Sequence, residues 1–104
     1  MLVVMTTIDS EEAAEELGKG IVEGKLAACV QVLPPMTSFF SWDGAVQRER
    51  EHLMLIKTAE EKYAELEAYI REHHNYDVPE VAAIRADQVS GPYAKWLSDY
   101  LILD

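Results

Sequence analysis

Polar and apolar positions change period several times along the chain, and each change marks an element. Leu2 to Ile8 is a nearly unbroken apolar run, too short for most helices, and reads as a buried strand. Asp9 then offers an N-cap with Glu12 three residues on, a capping box, and Glu11 and Glu12 fall where a helix dipole favours anions. Ala13, Leu17 and Ile21, with Ala14 and Val22, form one stripe at helical spacing, which Gly24 ends. Leu26 to Leu33 reads as a second strand, stopped by Pro34-Pro35. Thr37 to Trp42 alternates, and Asp43-Gly44 is a hairpin signal. The return arm runs from Ala45 to about Thr58, and its length predicts a bend or bulge near Arg48 to Glu51.

Thr58 and Glu61 form a second capping box, opening a helix that carries Tyr63, Leu66 and Ile70 inward and frays at His73-His74-Asn75. Val78 is extended because Pro79 follows it, and Val81 to Arg85 reads as the last strand. Ser90-Gly91-Pro92 turns into a tail helix with Tyr93, Trp96, Leu97, Tyr100 and Leu101 on its apolar side. The order β-α-β-β-α-β plus a C-terminal helix is the α+β, split β-α-β, ferredoxin-like pattern, in a single domain over residues 1–104. Right-handed crossovers put both long helices on one face of the sheet. The strands nonetheless read as apolar on both faces, with Val30 and Val32 pointing one way and Ala27 and Cys29 the other. A sheet of that kind needs a partner on its helix-free face, so the pattern predicts a homo-oligomer, with the long hairpin able to pair at a neighbour's edge.

Charge narrows the function. Nine Lys and Arg stand against 19 Asp and Glu, a formal net charge of -10, with no basic cluster. That argues against nucleic acid and against an anionic membrane, and favours cations as ligands. A single cysteine, Cys29, excludes an internal disulfide and a cysteine-rich zinc site within one chain. The N-terminal run lacks a basic region before it and is cut short by Thr6 and Thr7, so the expected location is the cytoplasm. Nucleophile-elbow, Walker A and dinucleotide-binding glycine motifs are absent, and Gly18-Lys19-Gly20 lies inside the first helix, so the chain reads as a binding protein and not as an enzyme.

Particular residues carry a family resemblance. Leu26-Ala27-Ala28-Cys29-Val30 resembles the L-A-A-C-V strand of the CutA (divalent-cation tolerance) family. Thr6, Ser41-Trp42-Asp43-Gly44, Ile56-Lys57-Thr58 and His74-Asn75-Tyr76-Asp77-Val78-Pro79-Glu80 follow in the family's order, the last similar to its H-P-Y-x-x-P-E signature. The resemblance implies a PII-like homotrimer linked to tolerance of divalent metals, with copper(II) or another divalent cation as ligand. The copper ligands it implies are His73, His74 and the residue at the end of strand one. That residue is Met5 here, where copper-binding members have Cys, and a thioether is a poorer ligand for Cu(II). Asn75 stands where the motif has proline, and Arg85-Ala86-Asp87 replaces a proline-containing stretch. Trp42, Lys57, Tyr76 and Glu80 match positions that lie around clefts between subunits in similar proteins.

Each candidate has a plainer reading. His73 and His74 are also well placed as exposed histidines at a helix C-terminus. Met5 and Cys29 fit a strand core. Lys57, Tyr76 and Glu80 fit a small anionic or zwitterionic ligand, or an ion pair that fixes a subunit interface. Function therefore divides between a trimeric divalent-cation tolerance protein that binds metal and a PII-like small-metabolite sensor or trimeric scaffold that does not.

Overall fold

A computed structural model describes residues 1–103. The elements are β1 (Leu2–Ile8), α1 (Glu11–Glu23), β2 (Cys29–Val32), β3 (Met36–Trp42), β4 (Ala45–Thr58), α2 (Tyr63–His73), β5 (Ala82–Arg85) and α3 (Gly91–Leu101). A single 3-10 turn, Glu60–Lys62, leads into α2. The sheet order is β2-β4-β1-β5, all antiparallel, and β3 pairs with the outer half of β4. Strand β4 is thus inserted between β1 and β2, the two strands that α1 connects, as the ferredoxin-like order requires.

Strand parity decides what is buried. On β1, Leu2, Val4, Thr6 and Ile8 are buried while Val3, Met5 and Thr7 are only half-covered. Met54, Ile56 and Thr58 of β4 face the same way as the buried set. Ala14, Leu17 and Ile21 of α1 and Leu66 and Ile70 of α2 close over them, so both long helices cover one face. A Cβ at Gly18 would meet the Val30 side chain at 3.0 Å, and one at Gly20 would meet the Tyr69 hydroxyl. These glycines let α1 lie close on β2 and beside α2, which accounts for Gly18-Lys19-Gly20 by packing. Helix α3 adds a small second cluster, Leu97 and Leu101 with Ala28 and Ala59.

The structure corrects several sequence expectations. The cap of α1 is Ser10 and not Asp9: its hydroxyl accepts from the Ala13 N–H at 3.1 Å, while the Asp9 carboxylate accepts from Asn75 at 3.1 Å. Thr58 does not cap α2; it is fully buried at the end of β4 and its hydroxyl donates to the Leu26 carbonyl at 2.7 Å. The second strand begins at Cys29 instead of Leu26, and the last at Ala82 instead of Val81. No bulge interrupts β4 near Arg48 to Glu51. The register slips on the opposite side: three residues, Leu33 to Pro35, separate β2 from β3 where only His52 and Leu53 intervene on β4. Pro34 and Pro35 cannot donate to a ladder, so the extra residue falls there. Trp96 of α3 is 47% exposed and lies outside the buried side of its helix.

Asp43 and Gly44 adopt φ of 52° and 77°, the two positive values a type I′ hairpin turn demands. The hairpin projects from the sheet, giving the molecule a long axis of 46 Å against 25 and 22 Å. Among the described residues one buried side-chain polar atom is unsatisfied. The Thr6 hydroxyl, fully enclosed on the helix side, has no hydrogen-bond partner among the described residues. Thr6→Val keeps the shape and removes an orphan hydroxyl, so it raises stability by about 1 kcal/mol. Urea unfolding checks this, and a destabilised variant shows the hydroxyl to be bonded.

Candidate functional site

The end of β1, the face of the hairpin and the segment after α2 together enclose a groove of about 760 Å³. Helix α2 stops because His74 leaves the helical region at φ -84° and ψ 147°. From there His74 fixes the segment. Its Nε2–H donates to the Thr7 carbonyl at 2.7 Å, and its Nδ1 accepts from the Tyr76 N–H at 3.0 Å. A carbonyl can only accept and an N–H only donate, so one neutral tautomer satisfies both. This clamp turns Tyr76 into the groove, where its hydroxyl donates to Oε1 of Glu51 at 2.8 Å. Burial, reinforced by that bond to the Glu51 carboxylate, pushes the Tyr76 hydroxyl well above its ordinary pKa of 10.0. Tyr76 is therefore a fixed donor and not an acid at physiological pH.

Glu51 is only 6% exposed, and it is not among the cleft residues expected from the sequence. Strand parity is the signal that finds it: Glu51, Leu53, Leu55 and Lys57 share the helix-free face of β4. His52 points the other way, its Nδ1 donating to the Leu33 carbonyl at 2.9 Å. The groove wall also carries Asp9, Glu49, Asp77 and Glu80, and no Lys, Arg or His among the described residues.

Of the cleft residues expected from the sequence, Trp42, Tyr76 and Glu80 line this groove. Lys57 does not. It stands further along the helix-free face, cross-strand from Val3 and Cys29, with its ammonium 5.9 Å from the centre of the Tyr93 ring. The expected metal ligands are also apart. Met5 lies on the helix-free face between Leu55 and Ala82. His73 lies on the helix side near Ile8 and Leu17, stacked on Tyr69 at 3.9 Å, with its Nδ1 donating to the Tyr69 carbonyl at 2.9 Å. Both nitrogens of His74 are committed to the backbone, leaving only Nε2 of His73 open. Among the described residues no group of three or more His, Cys, Asp or Glu is placed to hold a metal ion. Within one protomer these residues do not fit a preformed metal centre.

Comparison with known proteins decides the family. The sequence profile of the CutA1 divalent ion tolerance protein family matches residues 2–100. The chain belongs to the CutA1 divalent ion tolerance family. It is 37% identical over 97 residues to the divalent-cation tolerance protein CutA of Thermus thermophilus, covering 93% of this chain and 94% of the relative. It is 40% identical over 93 residues to the Protein CutA homolog of Xenopus laevis, covering 89% of this chain and 62% of that protein. The chain spans 54% of the chloroplastic CutA of Arabidopsis thaliana, at 39% identity. Among solved structures, the periplasmic divalent cation tolerance protein CutA of Archaeoglobus fulgidus superposes with a TM-score of 0.93 at 33% identity, covering 97% of this chain and 99% of that one. The CutA1 fold explains the element order, the long hairpin and the single sheet. The compartment varies among these relatives, and among the described residues no helix of this CutA1 chain is long and apolar enough to cross a membrane.

Proposed function

We propose that this CutA1-family chain is a homotrimeric binding protein acting in divalent-cation tolerance, with the groove beneath the hairpin as its ligand site and no catalytic step. The observation that carries this reading is the placement of His74. The residue that the resemblance assigns to copper is instead the clamp that shapes the groove, with both ring nitrogens bonded to backbone. The homotrimer is supported by the helix-free sheet face, where Val3, Met5, Leu53 and Leu55 are only half-covered and Ile84 is 56% exposed. It is supported too by the hairpin, where Phe39 is 68% and Trp42 53% exposed. Trp42, Tyr76 and Phe40 offer aromatic surface beside carboxylates, a lining suited to a small polar ligand with a cationic part.

A second reading keeps copper(II) or another divalent cation at His73, His74 and Met5. It is favoured by the open Nε2 of the exposed His73, but it requires His74 to leave the Thr7 carbonyl. A calorimetric Cu(II) titration of chelator-stripped protein separates the two, run beside His73→Ala/His74→Ala with oligomer mass measured by light scattering. The groove reading expects no saturable stoichiometric binding by an intact trimer. Saturable binding at a fixed ratio per subunit, lost in the double variant, overturns it in favour of the metal reading.

A further inference from the structure

Arg48-Glu49-Arg50-Glu51 cancels as a run of charge, but a strand sorts it. Successive side chains leave opposite faces, so β4 sends its acids one way and its bases the other. Glu49 and Glu51 line the groove. Arg48 and Arg50 stand on the opposite face of the hairpin. Their cross-strand partners on β3 are Phe39 and Thr37, and the next pair toward the turn is Ser41 with Val46, so this face carries no carboxylate. Both arginines are exposed, and neither is in an ion pair among the described residues. The Arg50 guanidinium donates to the Thr37 hydroxyl at 2.9 Å, which aims it and leaves most of its five donors open. Val46 beside them is 78% exposed, and Phe39, which also borders the groove, is 68% exposed.

The other bases are committed or scattered. Lys19, Arg85 and Lys95 are in ion pairs, Lys25 lies over the Tyr100 ring, and Lys57 is half-buried. Lys62 and Arg71 stand apart, at opposite ends of α2. Arg48 and Arg50 are thus the one pair of neighbouring bases on a single face, in a chain of net charge -10.

We propose that this outer face of the hairpin docks an extended acidic segment of a protein partner, with carboxylates of alternate residues on Arg48 and Arg50. The site is separate from the groove, which lies on the other side of the ribbon. Two residues apart on one strand, the arginines are about 7 Å apart, the spacing of alternate side chains in a second extended chain. Each guanidinium fork takes a carboxylate through two parallel hydrogen bonds. Val46 and Phe39 give an apolar residue of the segment something to cover. A short acidic segment fits this face better than a nucleic acid or an anionic membrane does. Either of those reaches past two arginines and meets a surface on which 19 Asp and Glu outnumber nine Lys and Arg.

Fluorescence anisotropy with a dye-labelled peptide of alternating glutamate and valine tests the docking at low salt, where exposed pairs are least screened. Saturable binding is expected. Arg48→Gln/Arg50→Gln is expected to weaken it about tenfold or more, since each of two exposed ion pairs contributes up to about fivefold. Lys62→Gln/Arg71→Gln removes the same charge elsewhere and is expected to leave the affinity within about twofold. Equal losses in the two double variants reveal diffuse attraction and overturn the proposal, as does the absence of saturable binding. A glutamine-valine peptide that binds as well as the acidic one also overturns it. Tighter binding of a single-stranded DNA oligonucleotide or of phosphatidylserine vesicles than of the peptide overturns the choice of occupant. Far-UV circular dichroism follows folding. Where the double variant misfolds, Arg48→Glu alone reads the same contact: weaker binding supports it, and unchanged binding overturns it.

Discussion

Ile56→Ala is expected to cost about 3–5 kcal/mol of folding stability. Ile56 is fully buried in β4, which lies between β2 and β1. Its cross-strand partners are Val4 on one side and Val30 on the other, so the side chain stands mid-sheet beneath the two helices. Leu66 and Ile70 of α2 and Ile21 of α1 belong to the same core. Truncation removes three carbons from a site walled by two rigid ladders and two helices, and such a site collapses poorly into the cavity left behind. For a domain whose whole stability is about 5–15 kcal/mol, this is a large share. Chemical unfolding at fixed protein concentration measures it, since stability coupled to assembly depends on concentration. A loss below about 1 kcal/mol would show that the core lies elsewhere.

Much of this architecture is written in local patterns, and the departures have physical causes. The strand β1, the hairpin at Asp43-Gly44, the long β4 and the inward residues Leu66 and Ile70 follow from periodicity and turn chemistry alone. The caps fail because a capping motif states only what a side chain is able to do. Thr58 has the right spacing to Glu61, but the ladder holds it in β4, and its hydroxyl meets the Leu26 carbonyl 32 positions away. The bulge is misplaced because length on one strand does not say which of its neighbours carries the extra residue. The candidate site divides the same way. Trp42, Tyr76 and Glu80 come together because the hairpin and the segment after α2 both fold over the end of β1. Lys57 reads as their companion in sequence, yet six residues of extended chain carry it from Glu51 to the other end of the sheet. His74 reads as a ligand only through the family resemblance. Only the fold reveals that Thr7 and Tyr76 already occupy both of its nitrogens.

Tyr76→Phe is expected to destabilise the protein by about 1.5–3 kcal/mol at neutral pH and to change its response to alkali. The first effect follows from the partner left behind. Glu51 is a buried carboxylate whose Oε1 accepts the tyrosine hydroxyl, and hydrogen bonds to charged groups are the costly ones to remove. The second follows from linkage. Burial and the Glu51 bond raise the Tyr76 pKa above 10.0 in the folded state, whereas the unfolded chain keeps the ordinary value. Below about pH 10 both states are neutral and the contribution is present in full. As pH rises past the unfolded value, the unfolded tyrosine ionises first, and stability falls at up to about 1.4 kcal/mol per pH unit until the raised folded value is passed. The Phe variant loses that share of the alkaline slope. Tyr63, raised by its own burial and by Glu67, retains a smaller one. Urea midpoints measured from pH 8 to 11 on both proteins would therefore converge as pH rises. Parallel slopes would show that the Tyr76 hydroxyl does not hold its proton against Glu51, and the groove would lose the contact that fixes its floor.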